Sequence, residues 1–281
     1  MFKIVSKEKL NDIVTRMYIE APLIAKKGKA GQFIIFRIDE HGERVPLTIA
    51  DTRPEDGTVG IIFQTAGKAT RLLSEMNEGD EILDFVGPLG KPSELDGYKK
   101  ACVIGGGVGT AIAYPSAKAL KANGAEVDVI VGFRNKDIVI LEDDFRACSD
   151  NLYVTTDDGS YGYHGFVTDK LRELLEGGKE YDLVIAIGPV PMMKFVCDLT
   201  KEHNIKTLVS LNPIMVDGTG MCGGCRVMVG GELKFACVDG PEFDGHEVDF
   251  NDLMMRNRTY SQFEKEEDHK CRIGLTQEAE A

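Results

Sequence analysis

The stretch from Lys99 to Phe133, "KKACVIGGGVGTAIAYPSAKALKANGAEVDVIVGF", decides the fold. An apolar strand enters a glycine turn, an alanine-rich helix follows, and a second apolar strand completes the unit. That order is a βαβ unit of a parallel sheet. Glycines at a strand-to-helix turn let the backbone approach a pyrophosphate, and the helix adds unpaired N–H groups and the positive end of its dipole. The spacing departs from G-x-G-x-x-G: Gly107 and Gly109 supply the first pair, but Ile112 stands where the third glycine belongs. Taken alone, the turn reads equally as a structural glycine turn or a dinucleotide site.

Working outward, strand-like runs recur at "NLYVTTDD", "YDLVIAIGP" and "IKTLVSLN", with helical patterns "GFVTDKLRELLEG" and "VPMMKFVCDLTKEHN" between them. They extend the unit into an α/β domain over residues 98–212. In open α/β sheets ligands sit at the carboxyl ends of strands, where both the GGGVG turn and the Gly188-Pro189 turn fall. The candidate nucleotide contacts are therefore Gly106, Gly107, Val108, Gly109, Thr110, Gly188, Pro189 and Met192. Upstream, residues 1–97 carry short runs rich in Ile, Val and Phe, such as "GQFIIFRID", "VPLTIAD" and "GTVGIIFQ", broken by Gly, Pro and Asp. Such runs predict a small antiparallel barrel or sandwich. Within it, "RVPLTIA" and "IIFQTAGKATRLL" bring a fixed cation (Arg44), hydroxyls (Thr48, Thr70) and the backbone N–H groups of Gly67 to Ala69 to a possible diphosphate site.

Downstream lies "DGTGMCGGCRVMVGGELKFAC", Asp217 to Cys237, which holds Cys222, Cys225 and Cys237 on a ground of glycines. Plant-type iron-sulfur segments run Cys-x4-Cys-x2-Cys with a distant fourth Cys. Here the first position is Asp217, whose carboxylate keeps the negative charge of a thiolate and is a hard donor to iron. Three cysteines and an aspartate also suit tetrahedral zinc, so both metals stay open on the residues alone. The segment, 213–245, is too short for a core of its own and is expected to be held by its metal. Residues 246–281 read as a C-terminal helix and tail, with Phe250, Leu253, Met254 and Tyr260 at roughly helical spacing, packed back on the domain or turned to a partner.

With 281 residues and a net charge of −13, the chain has material for full cores and lacks the basic balance that nucleic acid requires. Its N-terminus shows no signal-peptide pattern, and no apolar run reaches the length of a membrane span, so a cytoplasmic location is expected. In that compartment grouped cysteines indicate metal rather than disulfides. Cys102, Cys148, Cys197 and Cys271 read as small buried residues or ordinary thiols, and His164 receives no role.

The order of motifs carries a resemblance. An R-x-P-L-T strand, a G-K-x-T helix start, a GGGxG turn, a D-D-G-S loop, a G-P-x-x-M segment and a terminal Cys cluster resemble, over nearly the whole chain, the flavin reductases of the ferredoxin-NADP reductase type. Within them the chain is similar to the iron-sulfur branch that contains the electron-transfer subunit of dihydroorotate dehydrogenase. The small subunits of electron-bifurcating reductases in this branch resemble it further in carrying Asp at the first cluster position. The resemblance implies an antiparallel flavin-binding β-barrel, a parallel-sheet nucleotide-binding domain and a small iron-sulfur segment. It implies FAD with its ring along Pro46, Leu47 and Thr48, contacts at Ile62, Phe63 and Gln64, and its diphosphate near Arg44, Gly67, Lys68, Ala69 and Thr70. A 2Fe-2S cluster would be held by Asp217, Cys222, Cys225 and Cys237.

Where NADP-dependent relatives place Ser and Arg, this chain has "TTDDGSYG"; Asp157 and Asp158 favour NAD(H), against which Arg134 of "GFRNK" is the opposing residue. The implied reaction is hydride transfer between NAD(H) and FAD, with single electrons passing through the cluster and no protein acid or base. The implied partner is a large flavin and iron-sulfur subunit in a heterodimer, through which ferredoxin and NADP(H) are reached. The competing readings are the dihydroorotate dehydrogenase subunit itself and a non-catalytic module binding nucleotide and zinc.

Overall fold

A computed structural model describes residues 1–272. Strands β1 (Phe2–Lys9), β2 (Val14–Glu20), β3 (Phe33–Arg37), β4 (Val45–Arg53), β5 (Thr58–Gln64), β6 (Glu81–Ile82) and β7 (Asp84–Leu89) form one antiparallel sheet in the order β6-β1-β2-β5-β4-β3-β7. Its two edges, β6 and β7, are consecutive in the chain with Leu83 between them, so the sheet curls into a near-closed barrel. Alternation along β5 shows how the barrel fills: Val59, Ile61 and Phe63 join its interior, while Ile62 turns outward into a second core. The sequence pattern does not reveal β1, because the polar residues of "FKIVSKEK" mask its inward Ile4. Helices α1 (Pro22–Lys27) and α2 (Lys68–Glu75) complete this half.

The second sheet begins with parallel strands β8 (Lys100–Gly106), β9 (Glu126–Phe133), β10 (Asn151–Thr156), β11 (Tyr163–His164), β12 (Leu183–Ile187) and β13 (Lys206–Ser210). Helices α3 (Gly109–Ala122), α4 (Glu142–Arg146), α5 (Val167–Glu176) and α6 (Val190–Glu202) lie among them in sequence. The strand order β11-β10-β9-β8-β12-β13 places the direction change between β8 and β12, the crevice where such sheets bind ligands. β8 is buried along its length after Lys100, which explains its continuous apolar run. One face of the sheet shares a core with barrel residues Val14, Ala50 and Ile62, and the other with Phe33 and Ile35.

The cysteine-rich segment is laced into this architecture. β14 (Arg226–Val229) and β15 (Glu232–Phe235) form a hairpin, α7 (Ala236–Asp239) follows, and β16 (Glu242–Asp244) adds antiparallel to β13, pairing Ser210 with Glu242. Cys225, Val227, Ala236 and Cys237 belong to the same core as Phe33, Ile35 and the sheet. In α8 (Phe250–Asn257), Phe250 and Leu253 are buried, so these two apolar residues pack back on the chain rather than facing a partner. α9 (Ser261–Arg272) lies on α2, where Arg71 holds Asp268 at 2.8 Å and Lys68 reaches Glu267 at 3.6 Å. The end of the expected tail lies outside the described residues. No helix among the described residues is long and apolar enough to cross a membrane.

Candidate functional site

A cleft of ≈ 650 Å³ opens where the barrel meets the carboxyl ends of the second sheet. Ile13, Val14 and Gln64 line it from the barrel, and Gly106 to Gly109, Gly188, Pro189 and Met192 from the two turns. The turns pack on one another. A Cβ at Gly109 would strike Ile187 O and come within 2.7 Å of Gly188 Cα, and one at Gly107, whose φ is +56°, would meet nothing within 4 Å. Backbone therefore forms the floor while Gly107 leaves open space for a ligand, the arrangement a dinucleotide diphosphate requires. Thr110 lies behind the turn, fully buried, and its amide donates to Gly107 O at 3.1 Å.

At the far end Asp157 and Arg134 line the cleft together. Asp158 does not: Oδ1 accepts the Ser160 amide at 2.9 Å, and the Ser160 hydroxyl and amide hold its carboxyl low. An aspartate beside Gly and Ser closes its own turn before it reaches for a ligand. Two residues that the sequence pattern misses, Phe166 and Phe195, line the same cleft while remaining 62% and 61% exposed. Ser210 and Asn212 line it at the end of β13. Nothing local marks these positions, since their role comes from the ends of elements that meet only in the fold.

On the barrel, Val45 to Thr48 are half-buried although β4 is a central strand, which leaves a partly uncovered strip suited to a flat ring. Gln64 lines the cleft, whereas Phe63 fills the barrel interior and Ile62 its outer core. Gly67 precedes α2 with nothing within 4 Å of its would-be Cβ. Thr70 caps its own turn: Oγ1 accepts the amides of Ala66 and Gly67 at 3.0 and 3.1 Å. The anion donors left are thus the first amides of α2, from Lys68 onward, while Ala69 is buried. Arg44 reaches elsewhere. Its Nε donates to Val216 O at 2.8 Å and its NH1 stands 3.7 Å from Asp84, so it links the β4 strand to the cysteine loop.

In that loop Cys225 and Cys237 are buried with their sulfurs 3.2 Å apart, and Cys222 is exposed. The Gly224 amide, first, and the Asp217 amide lower the Cys222 thiol, with the Asp217 charge opposing them. Burial, then the neighbouring Cys225, pushes the Cys237 thiol up to about 12. Metal binding would displace that proton. Asp217 Oδ2 accepts the Thr219 amide and hydroxyl at 2.8 and 2.6 Å, and these two hold its carboxyl low. Among the described residues no three His, Cys, Asp or Glu converge as a single-ion site. A two-iron cluster takes its ligands as two pairs, one to each iron. The pairs Cys225/Cys237 and Asp217/Cys222 fit that donor set. Of the remaining four cysteines, Cys102, Cys148 and Cys197 are buried in the packing, where burial raises Cys148 to about 11 and Cys197 to about 12, and Cys271 on α9 is partly exposed.

The barrel, the strand order and the cleft define a reductase of the ferredoxin reductase type with an added metal-binding loop. Residues 103–198 match the oxidoreductase NAD-binding domain, and residues 212–249 match the iron-sulfur cluster binding domain of dihydroorotate dehydrogenase B. A Thermotoga maritima protein named as a homologue of the dihydroorotate dehydrogenase B (NAD(+)) electron transfer subunit is 49% identical over 263 residues, covering 94% of this chain and 93% of its own. The Bacillus pumilus electron transfer subunit is 32% identical over 254 residues, covering 87% and 96%. The chain belongs to this family of electron-transfer subunits and is an NAD(H)-dependent oxidoreductase subunit with an iron-sulfur domain.

Among solved structures, a chain of the NADH-dependent reduced ferredoxin-NADP oxidoreductase, described for flavin-based electron bifurcation, superposes with a TM-score of 0.92 at 47% identity, covering 97% of this chain and 98% of its own. The Neisseria gonorrhoeae ferredoxin NADP+ reductase with bound FAD and NADP shares the fold, at a TM-score of 0.59 and 17% identity over 72% of this chain and 89% of its own.

Proposed function

We propose that this chain is the small, NAD-linked subunit of an electron-bifurcating oxidoreductase, and that it works with FAD and a 2Fe-2S cluster. One observation carries the reading: the cysteine loop is seated against the barrel on β3 and β7, and β3 pairs with the β4 strand proposed to carry the flavin ring. Gly218 approaches Ile35 and Leu89 so closely that a Cβ would lie 2.7 Å from the first and 2.8 Å from the second, and Arg44 ties Val216 to the start of β4. The nucleotide cleft is lined from the same barrel by Ile13, Val14 and Gln64, so the barrel contributes to both sites. FAD held on the barrel would supply a centre that takes up two electrons as one hydride and passes them on singly.

The chain's own residues bind and orient. The Gly106 to Gly109 turn and the amides of α3 would hold the dinucleotide diphosphate, with Gly188, Pro189 and Met192 opposite. Asp157 would accept a ribose hydroxyl and disfavour a 2′-phosphate beside Arg134. Pro46, Leu47, Thr48 and Gln64 would position the flavin ring, with the α2 amides at its diphosphate. Asp217, Cys222, Cys225 and Cys237 would ligate the cluster.

A chain with one two-electron site and one single-electron site needs a further acceptor. Val216, Met221 and Val238 are exposed apolar residues of the cluster segment, at 48%, 87% and 44% exposure. They form the surface proposed to meet a large flavin and iron-sulfur subunit, through which ferredoxin and NADP(H) are reached, in the cytoplasm. Co-expression with such a subunit is expected to give a stable heterodimer that reduces NAD from NADPH with ferredoxin. A chain that stays monomeric and passes electrons from NADH to ferredoxin at full rate alone would sink this reading. The match of residues 212–249 to the dihydroorotate dehydrogenase domain favours a second reading, in which dihydroorotate drives NAD reduction in the heterodimer. A colourless, zinc-containing protein would exclude both.

A further inference from the structure

This inference rests on the cluster reading and concerns how a carboxylate comes to serve where a thiolate is usual. The two oxygens of Asp217 stand in different surroundings. Oδ2 accepts three hydrogen bonds, from Thr219 N at 2.8 Å, Thr219 Oγ1 at 2.6 Å and Met221 N at 3.2 Å. No hydrogen bond among the described residues reaches Oδ1. The turn that arranges this is fixed from both ends. Gly218, at φ +84°, is pressed against the barrel wall at Ile35 and Leu89, and Arg44 holds the carbonyl of Val216.

A thiolate offers a single donor atom. A carboxylate offers two, and can chelate or alternate between modes, so a carboxylate ligand needs a device that makes it act through one oxygen. We propose that Thr219 is that device: its hydroxyl and amide, with the Met221 amide, occupy Oδ2 and leave Oδ1 as the single donor to the iron. Thr219 is then a positioning residue for the cluster, acting through Asp217. Partners of this kind orient ligands and tune the metal, and hydrogen bonds to the ligand atoms are among the levers that set cluster potential. By drawing charge from the carboxylate, the Thr219 hydroxyl favours the reduced cluster.

The test is a cycle of Thr219→Val and Thr219→Ser, each in the natural chain and in an Asp217→Cys background, where the thiolate has no second oxygen to occupy. Iron per chain, the electron paramagnetic resonance spectrum of the reduced protein and its redox midpoint are read. Thr219→Val is expected to change the g-values and lower the midpoint, Thr219→Ser to restore both, and neither to act in the Asp217→Cys background. Loss of iron in Thr219→Val with retention in Thr219→Ser supports the same role. An unchanged spectrum and midpoint in Thr219→Val overturn the proposal. So does a shift of equal size in the Asp217→Cys background, which would mean that Thr219 only shapes the turn. A natural chain with no iron-sulfur signal would overturn the cluster reading itself, an outcome distinct from any Thr219 result.

Discussion

Around the nucleotide cleft the ligand-facing groups are largely backbone, held at the ends of buried parallel strands, whereas in the cluster loop they are side chains on a turn rich in glycine. In the cleft, glycine is required because two backbones touch. In the cluster loop, Gly218 turns the chain at φ +84° while pressed against the side chains of Ile35 and Leu89, and Gly224 meets only ordinary contacts, with Ile214 O at 3.4 Å from a would-be Cβ. Backbone against backbone thus fixes Gly109, whereas chain reversal and side-chain contacts govern Gly218.

That contrast can be broken by adding a methyl group to each region. Gly109→Ala drives a Cβ into Ile187 O and Gly188 Cα, atoms that cannot swing aside, and should destabilise the fold by about 1–3 kcal/mol while weakening NADH binding. Gly224→Ala meets only ordinary contacts and should stay within about 0.5 kcal/mol of the parent. Thermal melts and NADH titrations on both variants check this, and equal losses would erase the distinction. A smaller effect sharpens the cleft side. Asp157→Ala should weaken NADH by about tenfold, the value of one hydrogen bond to a charged group, and narrow the gap to NADPH. Unchanged selectivity in stopped-flow flavin reduction would remove Asp157 from the site.

The smallest effect lies at the seam between the two regions. Glu242 on β16 is half-buried, but both its carboxylate oxygens are shielded from solvent beside Gly31 and Ser93, and neither is within hydrogen-bonding geometry among the described residues. Burial pushes its carboxyl up, with the nearby Ser93 hydroxyl opposing. The native state then keeps the proton to higher pH than the unfolded chain, so stability is full below the ordinary glutamate range and declines as pH rises through the folded value. Glu242→Gln should flatten that decline and stabilise the protein at pH 8 by on the order of 1 kcal/mol, read from denaturant midpoints at pH 5 and pH 8. A parallel decline in both proteins would clear Glu242 of the effect.

Much of this architecture is legible in the sequence because it is periodic. The apolar runs of β8, β9 and β12 and the glycine turns after β8 and β12 lie within short windows, where strand and turn chemistry speak directly. What escapes is decided across the fold or by competition within a turn. β16 is a three-residue strand identified only by its partner β13. That Arg44 holds the carbonyl of Val216, 172 residues later, through its Nε is visible only in the fold. Thr70 and Asp158 are the right residue types for a ligand, yet each is engaged by amides of its own turn. Residue type gives capability; the competing local hydrogen bond decides its use.

The antiparallel pairing of β13 with β16 has a consequence for protein engineering. Because Ser210 and Glu242 are cross-strand neighbours, the polypeptide between them leaves the sheet and returns to the adjacent position, as the connection of a hairpin does. The metal-binding segment is thus an insertion between neighbouring strands of one sheet, anchored by the side chains it contributes to the core. A segment of other redox character joined at the same two endpoints would have to keep Asn212 in the cleft and apolar side chains of similar bulk where Leu211, Met215, Val227 and Ala236 fill the core of the sheet.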